Sequence, residues 1–114
     1  MHELGIVIKV MDTIEDLGRE QSLSQVTSVT LEIGEVSGVI PEYITDCWGW
    51  ANGRSTLLKG AQLKINTLPA VTLCEECRGS YPTVKHGKKC PYCGSESTSL
   101  LQGNEFTIKE IEAC

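Results

Sequence analysis

Cys74-Glu75-Glu76-Cys77 and Cys90-Pro91-Tyr92-Cys93, with twelve residues between them, decide how this 114-residue chain is organised. Four thiols at that spacing suit one tetrahedral ion, and zinc is the usual occupant. Within each pair, the two-residue separation lets both sulfurs face one metal from a single tight turn. Pro91 fixes its own φ, and Gly94, just after the second pair, tolerates a positive φ; both fit such a turn. Closing a four-sulfur shell occupies all four side chains, so the ion is expected to hold the fold together and not to react.

Around the knuckles, residues 69–98 contain few large apolar side chains. Such a segment cannot build a useful core unaided. Metal binding is then its folding energy, roughly 10–16 kcal/mol apparent for structural zinc in small peptides.

Farther out, the flanks read as ordinary globular structure. Leu4, Val7, Ile8, Met11, Ile14 and Leu17 recur at helical spacing, with Lys9, Asp12, Asp16 and Glu20 on the other side. The spacing predicts an amphipathic helix over 3–20, broken by Ser22 to Ser24. Val26 to Ile33 alternates as a strand, Val29, Leu31 and Ile33 against Thr30 and Glu32. Gly34 and Gly38 bracket a turn or a short second strand. Pro41 suits the first turn of a second helix through Tyr43, Ile44, Cys47, Trp48 and Ala51, although Gly49 and Gly53 each weaken it by about 1 kcal/mol relative to Ala. Ala61, Leu63 and Ile65 alternate in a further strand. Glu105 to Glu112 alternates again and reads as a return to the first sheet. The predicted architecture is α+β: two helices on a small mixed β-sheet, with an inserted zinc-ribbon-like four-cysteine domain. The main domain is drawn as 1–68 plus 99–114, and the insert as 69–98.

Composition narrows the function. A 40% hydrophobic fraction is ordinary for a globular chain. No stretch approaches the ~18 apolar residues of a membrane span. His2 and Glu3 stand where a secretory signal would carry a basic segment, so a cytoplasmic location is expected, where thiols stay reduced and metal is favoured over disulfides. A net charge of −5 argues against nucleic acid; Lys85, His86, Lys88 and Lys89 form only a small cluster, read as a solvated turn. Cys47 is expected to be a small core residue, Cys114 an exposed thiol, and at least one of Trp48 and Trp50 core. No nucleophile–base–acid triad, phosphate loop or spaced acid pair is visible, so no enzyme is expected.

Met1-His2-Glu3 offers a second set of ligands. The amine of Met1, the backbone nitrogen of His2 and its imidazole can chelate one ion in fused rings, a geometry that suits Ni(II) or Cu(II). Glu3 adds a carboxylate or a further backbone nitrogen. Taken alone, such residues are usually an exposed histidine and a favourable first-turn helix acid, and the chelate is the less common reading.

Met1-His2-Glu3-Leu4, Leu31-Glu32-Ile33-Gly34-Glu35-Val36-Ser37, the paired knuckles and Gln102-Gly103-Asn104-Glu105 together resemble the HypA/HybF family of nickel-insertion accessory proteins for [NiFe]-hydrogenase maturation. The resemblance spans essentially the whole chain. It implies a nickel-binding domain carrying an inserted zinc domain, with nickel at Met1, His2 and Glu3 and zinc at Cys74, Cys77, Cys90 and Cys93. It also implies a nickel metallochaperone, zinc being the permanent ion and nickel the transient cargo. The implied partners are a nickel-binding GTPase, the hydrogenase large subunit and, for some members, urease accessory proteins, with the chain a monomer or homodimer. Some relatives place an acidic residue near the position of Ile40; here it is apolar, and Glu42 is the nearest replacement. From the cysteines alone, a rubredoxin-like electron carrier or a zinc-ribbon adaptor stays open.

Overall fold

The helical spacing near the chain start and the Pro41-led segment become two long helices, α1 (Glu3–Glu20) and α2 (Pro41–Ala51). A computed structural model describes residues 3–114. Glu3 in the first turn of α1 and Arg19 in its last complement the helix dipole. The Leu23 amide donates to the Gly18 carbonyl, and Ser22 takes φ 55°, so α1 closes in a Schellman-type turn with serine in the left-handed position. α2 starts with Pro41 in its first turn, where a missing amide costs nothing, and with no side-chain cap the Tyr43 amide turns back to the Ile40 carbonyl at 3.0 Å.

Two compact units share the chain. The first contains the residues through Glu32, then Val39–Asn66 and Thr107–Cys114; the second contains Ile33–Gly38 and Thr67–Phe106.

α1 packs on α2 in the first unit. The strands β1 (Val26–Gly34), β2 (Gln62–Leu68) and β6 (Phe106–Ala113) form a sheet in the order β2-β1-β6. The Val26 amide donates to Leu57 and the Glu35 amide to Leu68, so β1 and β2 run the same way. Ser24 pairs with Cys114 and Gly34 with Glu105, so β6 runs against β1 and the sheet is mixed. The core collects Val7, Val10, Met11 and Ile14 from α1, Ile44, Trp48 and Ala51 from α2, and Val26, Val29 and Leu31 from β1, with Leu58 and Ala61. Each large side chain buried this way contributes about 1.5–3 kcal/mol of transfer free energy. The buried Trp48 indole keeps its polar handle satisfied by donating to the Ala61 carbonyl at 3.1 Å.

The first helix corrects one expectation. Its apolar stripe is wider than the core covers: Leu4 and Ile8 are exposed while Val7 and Met11 are buried. Cys47, expected in the core, is only half-buried. Of the two tryptophans, Trp48 is core and Trp50 is 55% exposed, with the Arg54 guanidinium 4.1 Å from its ring centre.

The second unit has a sheet of its own, β3 (Val71–Cys74) between β4 (Ser80–Pro82) and β5 (Thr98–Gln102), all antiparallel. One helical turn, α3 (Thr83–His86), follows β4. Alternation did not mark these short strands, since three to five residues are too few to establish a period. The unit is also larger than the 69–98 segment drawn from sequence. β5 pairs with β3, which brings residues 99–102 to the knuckles. The turn after β1 belongs here too: the Val36 amide donates to Gly103, and the Glu35 carboxylate accepts the Ala70 amide at 2.8 Å.

Candidate metal centre

The paired cysteines sit on two matching turns. After Cys74 at the end of β3, the Arg78 amide donates back to the Cys74 carbonyl at 2.9 Å; after Cys90, the Gly94 amide donates to the Cys90 carbonyl at the same distance. The fifth residue of each turn is left-handed, φ 65° at Arg78 and 77° at Gly94. Each first cysteine sulfur also receives a backbone donor at 3.4 Å, the Cys77 amide on Cys74 Sγ and the Tyr92 amide on Cys90 Sγ. Amides aimed at sulfur stabilise thiolate over thiol.

The four sulfurs all lie within 4.8 Å of one another. Cys74 Sγ is 3.6 Å from Cys93 Sγ, and Cys77 Sγ is 3.6 Å from Cys90 Sγ. A disulfide needs about 2.05 Å, so neither contact is one. A zinc–sulfur bond of about 2.3 Å places the corners of a tetrahedron about 3.8 Å apart. The cage therefore fits a tetrahedral thiophilic ion. Cys74 and Cys90 are buried, whereas Cys77 and Cys93 face outward.

Backbone amides, burial and neighbouring sulfurs set Cys74, Cys77 and Cys93 apart. The Cys77 amide holds the Cys74 thiol down to about 7, against the cost of burial. The Ser95 amide lowers Cys93, but the Cys74 sulfur and burial outweigh it and push Cys93 up to about 12. Cys77 is likewise raised despite the Gly79 amide, through burial and the neighbouring Cys90 sulfur. Four thiolates cannot share this volume without a cation; a divalent ion offsets the repulsion.

The remaining apolar support is thin. Tyr81 is buried with Cys74 and Cys90, and its hydroxyl donates to the Gly87 carbonyl at 3.0 Å. His86 lies edge-on to Tyr81 at 5.8 Å, and the metal-type cluster found among the described residues contains the cysteines without it. The Lys85–Lys89 stretch is exposed, as a solvated turn should be.

Of the other predicted ligands, Met1 and His2 lie outside the described residues. Glu3 is placed in the first turn of α1 and is 7% exposed, unusual burial for a carboxylate. Ile40 and Glu42 are both exposed, and Glu42 joins no ligand cluster among the described residues. Sequence reasoning passed over the left-handed Arg78, which offers no turn signal because arginine seldom adopts that conformation. It also passed over Glu35, whose carboxylate caps the Ala70 amide at the start of the second unit's sheet.

A family model described as HypA, hydrogenase/urease nickel incorporation metallochaperone, matches residues 1–113. The chain belongs to the HypA family. Similar curated members include the hydrogenase maturation factors HypA of Albidiferax ferrireducens and Dechloromonas aromatica, 38% and 37% identical over 112 residues, each alignment covering 98% of both chains. The fold is similar to that of the Ni metallochaperone HypA from Helicobacter pylori, with TM-score 0.73 and 23% identity over 99% of this chain and 97% of that one. A second solution structure of a HypA protein aligns with TM-score 0.75 and 22% identity, covering 100% and 97%. This HypA-family chain has no helix among its described residues long and apolar enough to cross a membrane.

Proposed function

We propose that this protein is a cytoplasmic nickel metallochaperone that carries Ni(II) toward [NiFe]-hydrogenase and keeps one zinc ion as a structural anchor. The observation that supports the zinc half is the sulfur cage: two 3.6 Å edges match a tetrathiolate tetrahedron, and each of the four sulfurs has a neighbouring sulfur at that distance. Cys74, Cys77, Cys90 and Cys93 hold zinc in a closed shell with no open position for chemistry. The nickel half rests on membership of a family described by nickel incorporation, together with the ligand chemistry of Met1, His2 and Glu3. A site of few nitrogen and oxygen donors binds its ion more loosely than four thiolates do, which suits an ion that must be handed on.

By the same reading the receiving partners are a nickel-binding GTPase and the hydrogenase large subunit, with urease accessory proteins as further clients. Residues 1–32, 39–66 and 107–114 make the nickel domain, and the unit carrying the cysteines makes the zinc domain.

Nickel titration of zinc-loaded wild type and His2→Ala, followed by isothermal calorimetry, tests the assignment. Wild type should bind one nickel, and His2→Ala should lose at least tenfold in affinity with zinc content unchanged. Equal binding by the two proteins, or nickel absorption bands dominated by thiolate charge transfer, would refute the terminal site.

A further inference from the structure

We propose that the outer seam between α1 and α2 is a docking groove for an amphipathic helix of a protein partner, its apolar face flanked by Lys or Arg. The seam belongs wholly to the first unit.

Two stripes of apolar side chains face each other along it, exposed except for the buried Met11 and the half-buried Cys47. On α1, Leu4, Ile8 and Met11 fall at i, i+4 and i+7; on α2, Tyr43, Cys47 and Trp50 do the same. Leu4, Ile8, Tyr43 and Trp50 are each more than 40% exposed. Isolated exposed apolar residues are ordinary, but four large ones aligned on adjacent helices mark an interaction surface. Between them lie two hollows. One, of about 230 Å³, is lined by Glu3, Leu4, Tyr43, Asp46 and Cys47. The other, of about 440 Å³, includes Ile8, Met11, Asp12, Glu15, Trp50 and Arg54 in its walls. Since the chain-start end of α1 sits beside Tyr43 and its middle beside Trp50 and Arg54, the helices run in the same direction and the hollows follow one another along a single seam. Leu4 to Glu15 spans about 16 Å at 1.5 Å per residue, the length of roughly three helical turns. Apolar grooves of this kind take the anchors of an amphipathic helix at i, i+3, i+4 and i+7.

Charge selects the occupant. Glu3, Asp12, Glu15 and Asp46 line the hollows, and Arg54, the cation among those linings, is laid over the Trp50 ring. The rim is therefore acidic, on a chain of net charge −5. A second copy packed face to face would bring carboxylates against carboxylates, which is unfavourable. A helix whose apolar stripe is edged by Lys or Arg would satisfy both the groove and the rim.

The test uses the full zinc-loaded chain and three labelled 18-residue helical peptides: Leu/Lys, Leu/Glu, and a Ser/Lys peptide without apolar anchors. Fluorescence anisotropy should show the Leu/Lys peptide binding at least tenfold more tightly than either of the others. Ile8→Glu and Trp50→Glu should each weaken that binding tenfold or more, although both add negative charge and so would strengthen a merely electrostatic association. Asp12→Lys with Asp46→Lys should abolish the preference for Leu/Lys over Leu/Glu. All four positions are exposed, and far-UV circular dichroism checks that each variant stays folded. Unchanged or tighter Leu/Lys binding by Ile8→Glu or Trp50→Glu would overturn the proposal. So would sedimentation velocity showing a wild-type dimer that Trp50→Glu dissociates, because the groove would then belong to a second copy.

Discussion

Replacing Cys74 by Ala should release the zinc and loosen the second unit while the helical unit stays folded. The magnitude follows from the cage. Apparent zinc binding worth roughly 10–16 kcal/mol, shared equally over four thiolates, gives about 2.5–4 kcal/mol for each, or about a hundred- to a thousandfold in affinity. Cys74 should stand at the upper end. Its sulfur lies 3.6 Å from Cys93 Sγ, accepts the Cys77 amide and is fully buried, so its removal also leaves that amide without its sulfur acceptor. The apolar support packed with the sulfurs is small: Tyr81 is the residue buried in one cluster with Cys74 and Cys90. The assay pairs a chelator-competition titration for zinc with hydrogen exchange followed by mass spectrometry. Peptides from residues 67–106 should lose protection in Cys74→Ala, and in chelated wild type, whereas peptides from α1 should keep theirs. Retention of one zinc per chain at wild-type affinity would refute the tetrathiolate assignment. Unchanged protection of 67–106 after zinc removal would refute the claim that the metal supplies the folding energy.

Other expectations are equally concrete. Gly34→Ala should cost about 2–4 kcal/mol in urea unfolding, because a Cβ there would lie 2.0 Å from the Gly103 carbonyl oxygen and 2.6 Å from the Asn104 nitrogen, both backbone atoms unable to swing away. Gly94→Ala should lower stability by about 1 kcal/mol and Arg78→Gly should raise it by about half that, since both positions are left-handed and only glycine takes that conformation freely; equal melting temperatures for all three proteins would contradict this. Acid should weaken the first unit partly through Glu112, whose carboxyl is held below its usual 4.5 by the Ser28 hydroxyl and then by the Lys64 ammonium. A lowered folded-state value contributes stability that is present above pH 4.5 and lost as pH falls through the lower value, so Glu112→Gln should show a smaller drop in melting temperature between pH 6 and pH 3 than wild type.

The helices and the first sheet were readable because their side chains repeat with large contrast. Leu4 to Ile14 alternates apolar and charged at helical spacing, Val29 to Ile33 alternates at strand spacing, and the observed α1, α2, β1, β2 and β6 begin and end within two residues of the sequence reading. The second unit was not readable in that way. Its strands are three to five residues long, too short to show a period, so pairing between distant segments, β3 with β5, fixes them instead of any local pattern. Glu35 capping Ala70, and Gly34 pressed on Gly103, are likewise contacts across about 35 and 69 positions of chain.

By itself the sequence singled out the four sulfurs that the fold gathers into one cluster, because residue identity and the two-residue spacing are local properties of each knuckle. Only the tertiary structure decided how the pairs close, with Cys74 against Cys93 and Cys77 against Cys90, and which sulfurs are buried. It also decided that part of α1's apolar stripe and one of two adjacent tryptophans face outward. A helix sequence shows how wide its apolar face is, whereas the width that gets covered depends on what packs against it.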